Sequence, residues 1–221
     1  SYDLALAAAK KVEAAVRERL GREDIRWGAQ GVVVQTGGVA ALVGLTARFN
    51  DLVVMPQPYG PDSRPEDVAA LEAALFDGQA PVLVLPQSVV AQGTLPAMSR
   101  IVLAWNQTSE AMTAARKALP LLKAAKWVII FVVDPPSYGP ERSDPGGLLS
   151  QWLSRHGIRG EVSVLAKNMP SVGEVLNRHI RETAAHLLVM GAYSHSRFRE
   201  MILGGATREM LERAEVPVLM A

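Results

Sequence analysis

Two runs near the C-terminus decide the fold: Leu187-Leu188-Val189-Met190-Gly191-Ala192-Tyr193-Ser194-His195-Ser196-Arg197 and Ile202-Leu203-Gly204-Gly205-Ala206-Thr207. The first is an apolar strand that ends at Gly191 and continues into a polar loop. The second opens a helix, and the unpaired backbone N–H groups at the start of a helix favour a bound phosphate. A short strand over Pro217–Met220 follows. Together these features predict a strand–loop–helix–strand unit that can hold an anion at its loop.

The same pattern occurs earlier in the chain. Each copy has an apolar strand, a polar loop, a helix and a strand that opens with Pro-Val-Leu. The members are Asp51–Pro56, Glu66–Phe76 and Pro81–Leu85 in the first copy, and His186–Gly191, Ala206–Ala214 and Pro217–Met220 in the second. A match of this length and order indicates a tandem duplication.

The second copy can be followed from its start as five apolar strands separated by helices. The predicted strands are Ile101–Trp105, Trp127–Val133, Gly160–Leu165, one at Leu187 and one at Val218. The predicted helices run from Thr108 or Ser109 to about Ala124, from Leu148 to Arg155, from a capping box at Ser171 to about Thr183, and over Ala206–Ala214. Continuous apolar strands between helices indicate an α/β fold with a doubly wound parallel sheet.

The first copy lacks the opening elements of this pattern. Its predicted elements are a helix over Leu4–Leu20, a strand region over Ile25–Val34, a helix over Val39–Phe49, a strand over Leu52–Met55 and a helix opened by Ser63-x-x-Glu66. Counterparts of residues 101–133 are absent, and the sequence does not begin with Met. We therefore expect upstream residues to be missing from it. The predicted division is an incomplete N-terminal domain over residues 1–90, a linker over 91–99 and a C-terminal domain over 100–221.

Composition narrows the class of partners. The chain has 221 residues, a formal net charge of +1, 20% charged residues and no cysteine. Such a balanced charge creates no field that would attract nucleic acid or an anionic membrane, and no apolar run is long enough to span a bilayer. The absence of cysteine excludes disulfides and thiolate chemistry. Because no signal-peptide pattern is present either, we expect a cytoplasmic protein.

The spacing Gly191-x2-Ser194-x9-Gly204-Gly205 resembles the Gly-x2-Gly-x9-Gly-Ser/Thr signature of the universal stress protein family. The resemblance implies a tandem, two-domain member. Both domains would be Rossmann-like with strand order 3-2-1-4-5, the first lacking its opening strands. It also implies a non-enzymatic stress-response or regulatory protein.

The resemblance further implies an adenine-nucleotide site, for ATP or another adenylate, in the C-terminal domain. Carried over by motif position, its residues are Trp105, Asn106, Val132, Val133, Gly191, Ser194, His195, Arg197, Gly204 and Gly205. Asn106 stands where ATP-binding members have an aspartate. Ser194 replaces a glycine, and Gly205 lacks the hydroxyl that would hold a phosphate. Two interpretations stay open: a modified nucleotide site, or glycines that only make turns around a helix start.

The equivalent loop of the first copy reads Pro56-Gln57-Pro58-Tyr59-Gly60. Its two prolines remove two backbone N–H donors, so we expect no nucleotide in that half. The four histidines are scattered over different elements, and neither a metal site nor a catalytic motif is predicted. The prediction is therefore a regulator. A ligand-free interaction scaffold and, more remotely, a slow ATP hydrolase remain as alternatives.

The repeated Pro-Val-Leu strands predict a contact between the halves. Members of the family commonly dimerise by pairing their last strands. In a tandem chain, Val82–Leu85 could pair in the same way with Val218–Met220 and hide two apolar edges. This predicts an intramolecular pseudo-dimer. Association of two whole chains and an unknown protein partner both remain open.

Overall fold

A computed structural model describes residues 2–60, 63–139, 141–192 and 205–221. Its seven strands are β1 (Val53–Pro56), β2 (Val82–Leu85), β3 (Arg100–Ala104), β4 (Trp127–Val133), β5 (Gly160–Leu165), β6 (Leu187–Met190) and β7 (Val218–Met220). They form one sheet in the order β1-β2-β7-β6-β3-β4-β5. All neighbouring strands are parallel except β2 and β7. The expected α/β fold with a mostly parallel sheet is confirmed.

Nine α-helices among the described residues accompany the sheet. They are α1 (Tyr2–Leu20), α2 (Val39–Ala47), α3 (Pro65–Glu72), α4 (Gln87–Gln92), α5 (Ser109–Lys117), α6 (Leu119–Ala124), α7 (Gly147–Arg155), α8 (Val172–Glu182) and α9 (Gly205–Arg213). A 3-10 turn at Thr36–Gly38 precedes α2, and a π-helical turn at Ala73–Asp77 continues α3.

Two apolar clusters cover the two faces of the sheet. One contains the buried residues of α8 and α9 together with those of α3 and its π turn. The other contains the buried residues of α5, α6 and α7. Strand β4 supplies both clusters, because alternate side chains of a strand point to opposite faces: Ile129 and Phe131 lie in the first cluster, Val128 and Ile130 in the second. This explains why β4 is apolar along its whole length.

The two halves of the chain meet at the antiparallel pair of β2 and β7. The register places Val82 opposite Met220, Leu83 opposite Leu219, and Val84 opposite Val218. All of these side chains are buried. The pairing makes one continuous sheet out of strands from both halves, so that neither of the two apolar strands is left at an edge.

Three sequence predictions are corrected by the structure. Residues 25–34 were expected to form a strand, but they belong to no strand of the sheet; instead the Gly31 N–H and the Ala29 carbonyl are hydrogen-bonded to side chains of α1. The single helix expected up to Ala124 is divided at Ala118, because Pro120 has no N–H to continue the hydrogen-bond pattern of α5. Part of the expected linker is helical, since α4 overlaps residues 91 and 92.

The helix caps agree only in part with prediction. The cap predicted at Ser171 is confirmed, because its side chain accepts a hydrogen bond from the Glu174 backbone N–H at 3.1 Å. The cap predicted at Ser63 is wrong: α3 follows Arg64, whose backbone N–H donates to Asp67 Oδ2 at 2.8 Å. Proline at the first helical position explains the shift, since Pro65 is pre-organised for that position.

Candidate functional site

The candidate site lies where the direction of winding reverses. Strands β3 and β6 are parallel neighbours at the centre of the sheet. The chain leaves β3 towards α5, which packs on one face, whereas α9 follows β6 and packs on the other. The connections therefore diverge at the carboxyl ends of these two strands. Ligands of doubly wound folds bind at such a switch point.

Trp105 follows β3 and is fixed by the protein itself. Its indole is buried, and its Nε1 donates a hydrogen bond to Glu141 Oε2 at 3.0 Å. The same carboxylate oxygen accepts the backbone N–H of Gly146 at 3.2 Å, just before α7. The ring of Trp105 therefore belongs to the apolar cluster on the side of α5, α6 and α7, and its N–H is already in use.

Asn106 takes part in the cap of α5. Its Oδ1 accepts hydrogen bonds from the Thr108 hydroxyl at 2.8 Å and from the Thr108 backbone N–H at 3.3 Å. Thr108 Oγ1 in turn accepts the N–H of Ala111 at 3.2 Å. The carbonyl acceptor that the sequence offered for a nucleoside is therefore engaged in a local turn.

Gln107 is a site residue that the sequence predictions missed. Its backbone has φ of 63°, in the left-handed region that side chains other than glycine seldom adopt. Its side-chain Nε2 is buried and has no hydrogen-bond partner among the described residues. A buried donor without an acceptor costs about 1–3 kcal/mol. Only a three-dimensional structure shows this, because the motif positions flank Gln107 without including it.

Gly191 ends β6 against the first turn of α5. A Cβ atom at this position would lie 2.5 Å from Ala111 N and 2.6 Å from the carbonyl carbon of Glu110. No side chain fits this gap without movement of the backbone. Gly191 therefore allows the end of β6 and the start of α5 to touch, and this close approach places it beside the loop that carries Asn106.

Of the remaining predicted site residues, three lie among the described residues and four lie outside them. Val132 is buried and Val133 half-buried at the carboxyl end of β4, the other neighbour of β3. Gly205 opens α9, and no described atom comes within 4 Å of a Cβ built there. Ser194, His195, Arg197 and Gly204 lie outside the described residues.

The first-half loop at residues 56–60 is bound to the second half. Gln57 is buried, and its Nε2 donates to the backbone oxygen of Ala214, after α9, at 3.0 Å. The guanidinium of Arg208 lies over the ring of Tyr59, 5.6 Å from its centre. Burial raises the pKa of the Tyr59 hydroxyl, which stays protonated near neutral pH. These side chains join the first-half loop to helix α9 and to the residue that follows it.

The described part of the chain lacks two other kinds of feature, a metal centre and a membrane span. Within residues 2–60, 63–139, 141–192 and 205–221, no three side chains of the metal-binding types come together. No helix in those ranges has the length and apolar character needed to cross a bilayer.

This α/β fold, with a switch point at a glycine-ended strand, places the chain in the doubly wound class. A model of the universal stress protein family matches residues 98–221, more than half of the chain. The chain belongs to the universal stress protein family. A relative in sequence, Universal stress protein Slr1230 of Synechocystis sp., is 33% identical over 73 residues, which are 33% of this chain. The match spans 24% of that relative's length.

Solved structures agree on the fold. A universal stress protein from Archaeoglobus fulgidus superposes with a TM-score of 0.67 at 17% identity, covering 97% of this chain and 78% of that one. A functionally unknown protein from Pseudomonas aeruginosa gives a TM-score of 0.53 at 15% identity, covering 96% and 76%. Both matches extend over nearly the whole chain, so the arrangement of the first half also has counterparts among solved structures.

Proposed function

We propose that this protein is a non-enzymatic, cytoplasmic stress-response regulator whose second half binds an adenine nucleotide at the switch point between β3 and β6. The observation that carries the proposal is the buried amide of Gln107, a donor without a described acceptor at the place where a doubly wound fold takes its ligand. A nucleotide oxygen would supply that acceptor. ATP is the probe that the family resemblance suggests.

Each part of the site has a chemical role in this proposal. The first backbone N–H groups of α9, beginning at Gly205, would face the phosphates, since helix N-termini attract anions. The end of β4 at Val133 would contact the nucleoside. Gln107 would donate to it in place of a contact to Asn106, whose Oδ1 is held by Thr108.

Binding is expected to be weaker than in a site with the full signature. A missing charge-assisted hydrogen bond at Gly205 costs roughly 1.5–3 kcal/mol, which is about one to two powers of ten in affinity. The protein would therefore respond to high nucleotide concentrations rather than hold ATP permanently.

Thermal melting with and without ATP and Mg²⁺ tests the proposal. With a dissociation constant of about 10 μM, 1 mM ligand adds about 2.7 kcal/mol to the free energy of unfolding. For a chain of this size, the Tm should rise by about 5–10 °C. Gln107→Asn is the matched control: asparagine tolerates the positive φ but its shorter side chain withdraws the amide, so the rise should shrink.

A ligand-free interaction scaffold is the second candidate. Three predicted site residues favour it, because each already has a structural role in the fold: Trp105, Asn106 and Gly191. If ATP leaves the Tm of the unaltered chain unchanged, the nucleotide proposal fails and the scaffold remains.

We also propose that the chain is a tandem pair in which the first half is a structural partner. The antiparallel pairing of β2 with β7 supports an intramolecular pseudo-dimer. The contacts of Gln57 and Tyr59 with the region of α9 support the same interpretation. Through them the first-half loop binds the second half of the protein.

A further inference from the structure

A small cleft lies between helices α8 and α9, on the face of the sheet away from α5, α6 and α7. Its volume is about 210 Å³. Since a water molecule occupies about 30 Å³ in the liquid, the cleft has room for roughly seven waters. Pockets that hold drug-sized ligands are larger, at about 300–1,000 Å³. The cleft is therefore too small for a nucleotide and suits a molecule the size of an amino acid.

Among the described residues that line this cleft, Asn177 alone is buried, with 9% of its surface exposed. Its Oδ1 is buried and accepts no hydrogen bond from any described residue. Rotation of the amide by half a turn exchanges Oδ1 with Nδ2, so the side chain can offer the cleft either an acceptor or a donor. A buried polar atom without a partner is unfavourable, and a molecule bound in the cleft can supply the missing partner.

Two carboxylates, those of Glu174 and Glu209, line one end of the cleft. The hydroxyl of Ser171, which caps α8, donates to Glu209 Oε1 at 2.7 Å. Gly173 leaves space for this carboxylate, because a Cβ atom at that position would collide with it. The Glu174 carboxylate forms no ion pair within the described part of the chain. This end of the cleft therefore carries negative charge and can accept hydrogen bonds from a ligand.

Two arginines, Arg181 and Arg213, also line the cleft. Arg181 is already paired, since its Nη1 lies 3.0 Å from Glu215 Oε1. Arg213 is exposed and forms no ion pair with another described residue. A guanidinium fits a carboxylate with two parallel hydrogen bonds. Arg213 can therefore bind the carboxylate of a ligand.

The two helices place these groups in the same order along the cleft. Strands β5, β6 and β7 are all parallel in the sheet, so α8 and α9, which connect them, run in the same direction. Asn177 and Arg181 are four residues apart on α8, as are Glu209 and Arg213 on α9. Residues at this spacing lie on one helix face, about one turn or 5.4 Å apart. The cleft thus has an accepting, negative end and a positive end at a distance that a small molecule can span.

We propose that this cleft binds a free amino acid in its zwitterionic form. The α-ammonium group of the ligand would donate to Glu174, Glu209 and the Asn177 amide, and its α-carboxylate would accept from Arg213. Because Arg181 has its own partner, one free guanidinium faces two carboxylates. An amino acid with a cationic side chain should therefore bind more tightly than one with an acidic side chain. The site lies apart from the switch point between β3 and β6 and does not depend on nucleotide binding.

An NMR titration of the ¹⁵N-labelled full chain with L-lysine, in the absence of nucleotide, tests the proposal. We expect a dissociation constant of about 1 mM, with the largest chemical-shift changes at the side-chain amide of Asn177 and the backbone amide of Arg213. Nα-Acetyl-L-lysine lacks the α-ammonium group and cadaverine lacks the α-carboxylate. Each should bind about tenfold more weakly or worse, because a charge-assisted hydrogen bond is lost. L-Glutamate should also bind more weakly than L-lysine.

Arg213→Gln should weaken the binding of L-lysine by about tenfold or more, because the ligand carboxylate loses its charged donor. The variant should fold normally, since Arg213 is exposed. Arg155→Gln is the matched control. Arg155 is an exposed arginine at the end of α7, on the other face of the sheet, and its variant should bind L-lysine as the unaltered chain does.

Asn177→Leu separates binding from folding. Leucine has the same branching as asparagine and needs no hydrogen bond, so the variant should match or exceed the Tm of the unaltered chain, yet bind L-lysine more weakly. Unchanged affinity in Asn177→Leu would overturn the proposal. So would a spectrum that shows no shift at Asn177 with about 20 mM L-lysine, well above the expected dissociation constant. Equal affinities of L-lysine, Nα-acetyl-L-lysine and cadaverine, or of the Arg213→Gln and Arg155→Gln variants for L-lysine, would contradict it as well.

Discussion

At the residue scale, Gly191 and Gly205 have opposite surroundings although both belong to the glycine signature. A side chain at Gly191 would collide with the backbone of Ala111, whereas the space around Gly205 is open among the described atoms. Gly191 is therefore required for packing whether or not a ligand binds. Gly205 can accept a side chain, which makes it the position where the signature can be restored.

Gly205→Ser should strengthen ATP binding. The substitution returns a hydroxyl to the start of α9, and serine is well tolerated at the beginning of a helix. A charge-assisted hydrogen bond is worth roughly 1.5–3 kcal/mol, so the dissociation constant should fall by about tenfold or more. Isothermal titration calorimetry measures it, with Gly205→Ala as the control that adds a Cβ without a hydroxyl. Equal affinities for the two variants would mean that phosphate does not reach Gly205.

Gly191→Ala should destabilise the fold. The new Cβ would lie 2.5 Å from Ala111 N, and overpacking against backbone costs about 1–3 kcal/mol. Urea denaturation should therefore show a lower midpoint with an unchanged slope. Gly205→Ala serves again as the control and should retain the stability of the unaltered chain. An unaltered midpoint for Gly191→Ala would disprove the close contact of β6 with α5.

At the element scale, helix α8 buries polar side chains that cannot be identified as buried from its sequence alone. His179 lies stacked on Phe131 of β4, with ring centres 3.8 Å apart. Its Nε2 and the Oδ1 of Asn177 are buried without a hydrogen-bond partner in the described part of the chain. Burial lowers the pKa of His179 below its ordinary value of 6.5.

This buried histidine predicts a loss of stability in mild acid. Because the folded pKa is lowered, the unfolded chain binds a proton more readily as the pH falls below about 6.5. Above pH 6.5 the free energy of unfolding includes the full contribution of neutral His179. As the pH falls, this contribution decreases until the pH is below the folded pKa. Urea unfolding at pH 7.5 and pH 5.5 should show the decrease in the free energy of unfolding. The decrease should be smaller in His179→Phe, a variant that keeps an aromatic ring at this position but cannot bind a proton. An equal decrease in both proteins would exclude His179 as its source.

The elements could be predicted where their hydrophobic pattern alone decides them. Strands β4 and β5 begin and end where the sequence indicates, because each is flanked by turn residues. Residues 25–34 were apolar enough to suggest a strand, but a strand also needs a partner, which no sequence pattern in that segment supplies. The break at Ala118 was hidden by a continuous helical pattern, although Pro120 was the available signal.

The candidate site was predicted less completely than the fold. Motif spacing predicted Asn106 and Gly191 as site residues, and they follow β3 and β6, two parallel neighbouring strands. It could not reveal that Asn106 accepts hydrogen bonds from Thr108, the N-cap of α5, nor that Gln107 adopts a positive φ with a buried amide. Both depend on the path of the backbone after β3, which residue identities do not specify.

At the scale of the whole molecule, strands from both halves of the chain form one sheet. The first half contributes β1 and β2, and it binds the second half through the β2–β7 pair and through Gln57. Its loop reaches α9, the helix that begins at the proposed nucleotide site. The first half can therefore influence the proposed site through the position of α9.

We propose that an adenine nucleotide binds at the switch point of the second half and not in the first. An NMR titration of ¹⁵N-labelled protein with ATP and Mg²⁺ tests it most directly, because it reports each amide separately. We expect the largest chemical-shift changes at the side-chain amide of Gln107 and the backbone amides of Gly191 and Gly205, with Val53 and Tyr59 little affected. Saturating ATP that leaves the spectrum unchanged, or shifts centred on Val53 and Tyr59, would contradict it.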